Sequence, residues 1–468
     1  MKYLLGADVG TSALKAVLFD ETGATVCSVT KDYTLQIQGD TVEYPAEGYW
    51  RLFKEALDEI RGQYPVDALA IDTQCETMIV ADEGGTPLCN AIVWLDNRAA
   101  SQAQEIAERF GERSVYEHTG QPEITATWPA CKLLWLRQNR SELWKKIGKV
   151  FLLEDYLLYR LTGEFVTERT LQSSSLYYDI RAGRWWGEML SYLQLSETCL
   201  PRLCASGAVI GSYEGITVVT GAMDQVAGAI GTGIVRQGDI SEMTGTTMTL
   251  FVPMGEMPPY RADSKIPCHV NYDGKYCLPM WSPTAGIAFK WFKNQLCEGL
   301  DYDALNRMAA QAPAGCEGLT FLPYLSGSVM PRYNPDARGA FLGLTMAHTR
   351  GHMVRAIFES VAYMLREHLS RFGSQVTRIR STGGGANSPL WCQIKADVCG
   401  TEIVTLKNKE TACLGSAILA GVGIGVFPSV EAASDRFTAT ERVYTPSGTS
   451  YEEPYRRFLA LEDQLIGK

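Results

Sequence analysis

GADVGTSALKAVLFDETG, residues 6–23, sets Asp8, Thr11, Ser12 and Lys15 around a glycine turn that is flanked by two apolar runs. The run before it (residues 2–8) and the apolar stretch after it (residues 13–20, closing on DETG) read as two strands joined by a tight turn. A hairpin tip rich in Gly, Thr and Ser exposes backbone N–H groups and hydroxyls that can surround phosphate oxygens, and Lys15 can add a point charge. Taken alone the turn is ordinary, because Gly and Thr are frequent in turns that bind nothing. It is not a Walker-type loop, which needs GxxxxGK[ST] between a strand and a helix.

An echo of this turn decides the fold expected. GDISEMTGTTMTLFVP, residues 238–253, again places a Gly-Thr turn between two strand-like runs, and Gly10-Thr11 and Gly245-Thr246 lie 235 positions apart in a chain of 468. The repeat is one of pattern rather than identity. Two similar hairpins opening two halves of similar size predict a duplicated α/β fold with a cleft between the copies, divided at 1–240 and 241–468. The length agrees, since one core rarely serves so long a chain.

Further strands are expected at PVDALAID (65–72), CETMIVAD (75–82) and ITVVTG (216–221), and in VTRIRSTGGGANSPLW before its glycines. Apolar residues recur every three or four positions in AASQAQEIAERFG and ACKLLWLRQNRSELWKKIG, which predicts a helical insert around residues 99–200. HMVRAIFESVAYMLREHLSRFG, TACLGSAILAGVGIGVF and EEPYRRFLALEDQLIG read as later helices.

A formal charge of −10 argues against nucleic acid or an anionic membrane as partner, since both call for clustered Lys and Arg. No run reaches the roughly 18 apolar residues of a membrane span. MKYLLGADVG meets Asp8 before a signal-type apolar region develops, so a cytoplasmic protein is expected. The thirteen cysteines include no CxxC pair, which supports neither a disulfide framework nor a zinc site.

Four constellations can carry chemistry. Asp8 ends a strand just before the first turn, where a carboxylate can hold Mg²⁺ through water or simply cap the turn. Asp224, in GAMDQ after the buried run, sits beside Gln225 and is suited either to accept a proton from a bound hydroxyl or to cap a helix. STGGGANS, residues 381–388, allows close backbone approach to a planar ligand or a phosphate, although it lacks GxGxxG spacing. DTQCETM and AIVWLDNRA place Gln74, Glu76, Trp94, Asp96, Asn97 and Arg98 in loops at strand ends. Polar groups flanking one aromatic suit a small polyol pocket, and equally a solvated loop over a buried Trp.

With these residues quoted, the chain resembles the FGGY carbohydrate kinase family over nearly its whole length. GAFLGL (339–344), seven residues, then HMVRAIFE (352–359) match the carboxy-terminal family signature at every position. PACKLLWLRQN (129–139) meets the other signature, departing only at its first position, Thr127. The resemblance implies two ribonuclease-H-like domains of the actin, Hsp70 and hexokinase superfamily that close over ATP and Mg²⁺. It implies Asp8 near the metal, and Gly10, Thr11, Ser12 and Lys15 near the phosphates. TGTT would supply Gly245, Thr246 and Thr247 as the second phosphate motif, and GGGAN would supply Gly384, Gly385, Ala386 and Asn387 to the adenosine. Asp224 aligns with the catalytic Asp and Gln225 with its sugar-binding neighbour, and Gln74, Cys75, Glu76, Trp94 and Asp96 complete the sugar pocket.

Within the family, LLEDYLLYRLTGEF, FLPYLSG and NPDARGAFLGLT look most like xylulokinases. Three departures alter the pocket. Cys75-Glu76 stands where xylulokinases commonly have Met-His; QCET followed by NAIVW resembles glycerol kinases, but with Cys75 for their Arg; and Ser328-Val329-Met330-Pro331 replaces the common Glu-Arg-Thr-Pro. The implied activity is ATP-dependent phosphorylation of a small sugar or polyol, with glycerol, erythritol or another ketose as alternative acceptors. An actin-like ATPase and a catalytically silent sugar sensor are the non-kinase alternatives, and a homodimer is left open.

Overall fold

The computed structural model describes residues 1–262, 265–330, 334–372 and 376–466. Of the stretches read above, Pro331, Gly373 and Gly467 lie outside the described residues.

The opening stretch folds as the expected hairpin. β1 (Tyr3–Val9) and β2 (Ala13–Asp20) pair antiparallel with Asp8 opposite Lys15, and Gly10 N–H closes the turn on the Ala13 carbonyl at 3.1 Å. β3 (Thr25–Asp32) continues antiparallel beside β2. On the other side of β1 lies β4 (Ala68–Thr73), parallel, which sets Asp8 beside Asp72. β5 (Val209–Tyr213) and β6 (Ile216–Val219) complete the order β5-β6-β4-β1-β2-β3, with β6 parallel to β4. All six residues of β4 are buried, as a central parallel strand covered on both faces requires.

A second sheet repeats this plan. β7 (Ser241–Thr244), β8 (Met248–Met254), β9 (His269–Val270), β10 (Tyr276–Ser282), β11 (Arg378–Thr382), β12 (Glu402–Leu406) and β13 (Thr440–Tyr444) run in the order β9-β10-β8-β7-β11-β12-β13. β10-β8-β7-β11-β12 reproduces β3-β2-β1-β4-β6 in order and in strand direction. The two Gly-Thr turns therefore occupy the same place in two copies of one unit.

Within the first unit the chain adds α1 (Ala46–Arg61), whose buried Tyr49, Phe53, Ala56, Leu57 and Ile60 form one apolar stripe. Then come α2 (Ala100–Phe110), α3 (Pro129–Asn139) and α4 (Leu153–Thr162), as the periodicity indicated. The insert is less purely helical than expected. Lys149–Leu152 is a strand, and the strand Met78–Ala81 pairs with it in a separate sheet instead of extending the first one. The short apolar run KVFL has too few residues for helical periodicity to register.

The two units meet through α5 (Asp224–Thr232) and the small-residue helix α8 (Thr411–Gly423); α6 (Arg350–Ser370) and α7 (Pro389–Cys399) stay with the second sheet. Although α8 follows β12 of the second sheet, it packs on α5, β1 and β4. Glycines make that approach possible. A Cβ on Gly415 would stand 1.9 Å from the Ala227 carbonyl oxygen, one on Gly231 1.8 Å from that of Thr411, and one on Gly6 1.8 Å from that of Cys413. α9 (Glu452–Ile466) is the last described helix. All thirteen cysteines are free, and among the described residues no helix is long and apolar enough to cross a membrane.

Candidate functional site

Three carboxyl groups gather where β1, β4 and α5 end or begin. Asp8 and Asp72 are adjacent in strand register. Burial raises both above the usual carboxylate range; the Asp8 charge pushes Asp72 up further, and the Asp224 charge does the same to Asp8. The pair therefore holds a proton more readily than two isolated carboxylates would. Ser416 of α8 donates to Asp72 Oδ2 at 2.6 Å, while Asp72 Oδ1 has no partner.

Asp224 is the first residue of α5 and half-buried. Met223 occupies the cap position and no side chain caps the helix, so the plain capping role for Asp224 is set aside. Its Oδ1 accepts from the Cys75 thiol at 3.4 Å and from Gln225 N–H at 2.6 Å. Burial raises its pKa to about 6, against the Cys75 hydrogen bond and with help from the Glu76 charge. The loop that carries it is fastened from behind. Gly221 N–H donates to Glu154 Oε1 at 2.9 Å, Met223 N–H donates to Thr170 Oγ1 at 2.8 Å, and Met223 bridges to Thr73 at the end of β4. Only glycine fits at 221, where a Cβ would lie 1.9 Å from the Ile71 carbonyl oxygen.

The residues expected around a sugar surround this aspartate unequally. Gln74 Nε2 donates to the hydroxyls of Tyr49 (3.1 Å) and Tyr33 (3.3 Å), leaving its Oε1 unpartnered, and the Tyr33 hydroxyl donates to the Gly10 carbonyl. Glu76 is half-buried and faces the fully buried Lys132 of α3, whose ammonium donates to the backbone carbonyls of Glu76 (3.1 Å) and Val93 (3.0 Å). Burial raises Glu76 and lowers Lys132, each shift being moderated by the other's charge. Trp94 Nε1 donates to Thr11 Oγ1 at 3.0 Å, which ties the aromatic to the first turn.

Asp96 departs from expectation. It is fully buried, and both its oxygens are taken, by Val42 N–H (2.6 Å) and by Arg98 through its backbone N–H (3.1 Å), Nε (2.8 Å) and Nη2 (2.7 Å). With no free lone pair it shapes the Trp94 loop and does not face a ligand. Arg98 also reaches Glu43 and stacks over Trp135, 5.1 Å from its centroid, so it too is committed to the loop.

The glycine turns keep open positions. Ser12, Thr246, Gly384 and Asn387 are exposed, Gly10, Thr11, Gly245 and Thr247 half-buried, and Gly385 and Ala386 buried. Lys15 pairs with Glu410 at 2.6 Å, just before α8. The second turn is anchored to the chain ahead of residue 288, where Gly286 N–H donates to the Gly245 carbonyl (2.9 Å) and Ile287 N–H to that of Thr246 (3.1 Å). The GGGAN segment packs directly on Thr244, because a Cβ on Gly385 would come within 2.6 Å of the Thr244 side chain.

Sequence reading did not single out Asp72, Lys132, Tyr33, Tyr49 or Ser416. Asp72 had a usable signal, an acid closing an otherwise apolar buried strand; Lys132 lay inside the amino-terminal signature. Nothing in the linear pattern brings Tyr33, Tyr49 or Ser416 to the site.

Residues 3–231 match the family model described as FGGY family of carbohydrate kinases, N-terminal domain, and residues 243–424 match its C-terminal domain. The chain belongs to the FGGY family of carbohydrate kinases. This FGGY kinase is 30% identical to the gluconokinase of Bacillus subtilis, an alignment covering 98% of this chain and 94% of that one. It is 27% identical to a xylulose kinase of Staphylococcus epidermidis, covering 98% and 96%. Its structure superimposes on that of a ligand-bound xylulose kinase from Lactobacillus acidophilus with a TM-score of 0.93 and 26% identity, covering 100% of this chain and 99% of that one. The two-domain α/β fold and the enzyme class implied by the sequence resemblance are both borne out.

Proposed function

We propose that this carbohydrate kinase moves the γ-phosphoryl group of ATP to a hydroxyl of a small sugar or polyol, with Asp224 as the general base. The first half, 1–240, would hold the acceptor and the second, 241–468, the nucleotide, in a cytoplasmic setting where ATP is supplied. The observation that carries the reading is Asp224 itself. It is half-buried, raised to about 6, and restrained on Oδ1 alone, so Oδ2 can take the proton of an attacking hydroxyl near neutral pH. As that proton leaves, the hydroxyl oxygen bonds to the γ-phosphorus and the bond to ADP breaks; the remaining work is positioning and charge stabilisation.

Gln74, Cys75, Glu76, Trp94 and Gln225 are assigned to the acceptor. The unpartnered Gln74 Oε1 and the half-buried Glu76 supply acceptors for hydroxyl donors, and the Trp94 face suits the C–H side of a carbon chain. Gly10, Thr11, Ser12 and Lys15 with Gly245, Thr246 and Thr247 are assigned to the phosphates. Gly384 and Asn387 are assigned to the adenosine, with Gly385 and Ala386 beneath them.

Asp8 and Asp72 fit a divalent cation. The unpartnered Asp72 oxygen and the repulsion within the carboxyl pair favour one. That donor set matches Mg²⁺, which is usually held by one or two carboxylates, water and substrate phosphates. The ion, when bound, would neutralise charge on the transferring phosphoryl.

Relatives named for gluconate and for xylulose support a polyhydroxylated chain of five or six carbons as the acceptor. A coupled assay of ADP release with Mg-ATP and xylulose, ribulose, gluconate, erythritol or glycerol tests this. At least one five- or six-carbon acceptor should raise ADP release tenfold or more over ATP alone. ATP consumption that ignores every acceptor would favour an actin-like ATPase, and acceptor binding without turnover a silent sensor; either contradicts the proposal.

A further inference from the structure

Beneath the second Gly-Thr turn lies a buried ion pair that touches no open surface. Lys395 of α7 and Glu242 of β7 are both fully buried, with Lys395 Nζ 2.9 and 3.0 Å from the two Glu242 oxygens and 2.8 Å from Thr244 Oγ1. Ser381 of β11 donates to Glu242 Oε2 at 2.6 Å, and the Thr244 hydroxyl donates to Oε1. The three ammonium protons and the carboxylate lone pairs are thus all used.

Each member sits next to a glycine turn. Thr244 immediately precedes Gly245, and Ser381 lies two residues before Gly383. Gly383 and Gly385 rest on Thr244: a Cβ on Gly383 would stand 2.7 Å from the Thr244 carbonyl oxygen, and one on Gly385 2.6 Å from its Cγ2. The spacing between the two turns is therefore set at Thr244, whose hydroxyl is fixed by Glu242 and Lys395. A buried ion pair is a poor source of stability, since two apolar residues of similar size often serve as well. Its presence here calls for a role in geometry.

We infer that the Lys395–Glu242 pair, acting through Thr244 and Ser381, is a positioning device that holds the TGTT and GGGAN turns at the separation nucleotide binding needs. It touches no ligand, and Lys395 and Glu242 are positioning residues. The inference rests on the proposed assignment of both turns to ATP.

Calorimetric titration of the full chain with ADP in Mg²⁺, alongside thermal unfolding without nucleotide, tests it on three variants. Thr244→Val removes the hydroxyl at constant volume. The double variant Glu242→Leu with Lys395→Met removes both charges and keeps the site filled. Gly384→Leu obstructs the adenosine segment directly, at a position whose Cβ has only the Thr244 carbonyl oxygen nearby, at 4.0 Å. The first two should weaken ADP at least tenfold while melting within a few degrees of the parent, and Gly384→Leu should abolish binding. If the framework variants bind ADP within twofold of the parent while Gly384→Leu does not bind, the positioning role is wrong and the site stands. If Gly384→Leu binds normally, the nucleotide lies elsewhere and the assignment itself fails. Should the double variant not fold, Thr244→Val decides alone.

Discussion

Asp224 has two neighbours that pull its protonation in opposite directions: the Cys75 thiol, whose hydrogen bond favours the charged form, and Glu76, whose charge disfavours it. Because the base must be deprotonated, kcat/KM should be flat near neutral pH and fall tenfold per unit below about 6. Cys75→Ala removes the donor, so the acid limb should move to higher pH; an unmoved or lowered limb would show that the thiol does not tune the base. Cys75 was legible only as a departure from relatives, since nothing in QCET tells that its thiol reaches a residue 149 positions away. Asp96 taught the converse. WLDNR reads as a polar loop, yet burial behind Val42 and Arg98 consumes its carboxylate.

Among the elements, the paired hairpins were the most readable, because strand alternation and turn residues are local signals and recur at the same place in each sheet. The seat of α8 was not readable. TACLGSAILAGVG is apolar all round, which says that the helix is buried but not against which sheet. Its glycines decide that in three dimensions, and they join the residues proposed for catalysis. α8 presses on β1, which carries Asp8 one residue before its end; on α5, which begins with Asp224; and on Asp72 through Ser416. Gly415→Ala should force α5 and α8 apart and cost roughly 1–3 kcal/mol of stability, the usual range for overpacking. Chemical denaturation would measure it, and turnover should fall along with stability. Undiminished stability would mean that the helices have room to separate.

At the scale of the whole molecule, buried acids leave a mark on stability. Asp155, with one oxygen unpartnered, is raised by burial to about 8, and Glu154 and Glu168 beside it are raised as well. A folded carboxyl that keeps its proton above the unfolded value loses stability as pH rises between the two values. The buried His269 and His368, lowered to about 4, act oppositely but only up to the unfolded histidine value of 6.5. From pH 6.5 to about 8 Asp155 therefore prevails and should lower stability by about 1.4 kcal/mol per unit, with Glu168 adding to the decline only up to about 7. Asp155→Asn should flatten the decline, and an equal slope in both proteins would contradict the assignment. The central claim concerns chemistry, and the variant Asp224→Asn tests it most directly. With the acceptor found in the coupled assay, its kcat should drop ~10²–10⁴-fold while ADP affinity measured by calorimetry stays within twofold of the parent. Near-normal turnover by Asp224→Asn would contradict the account.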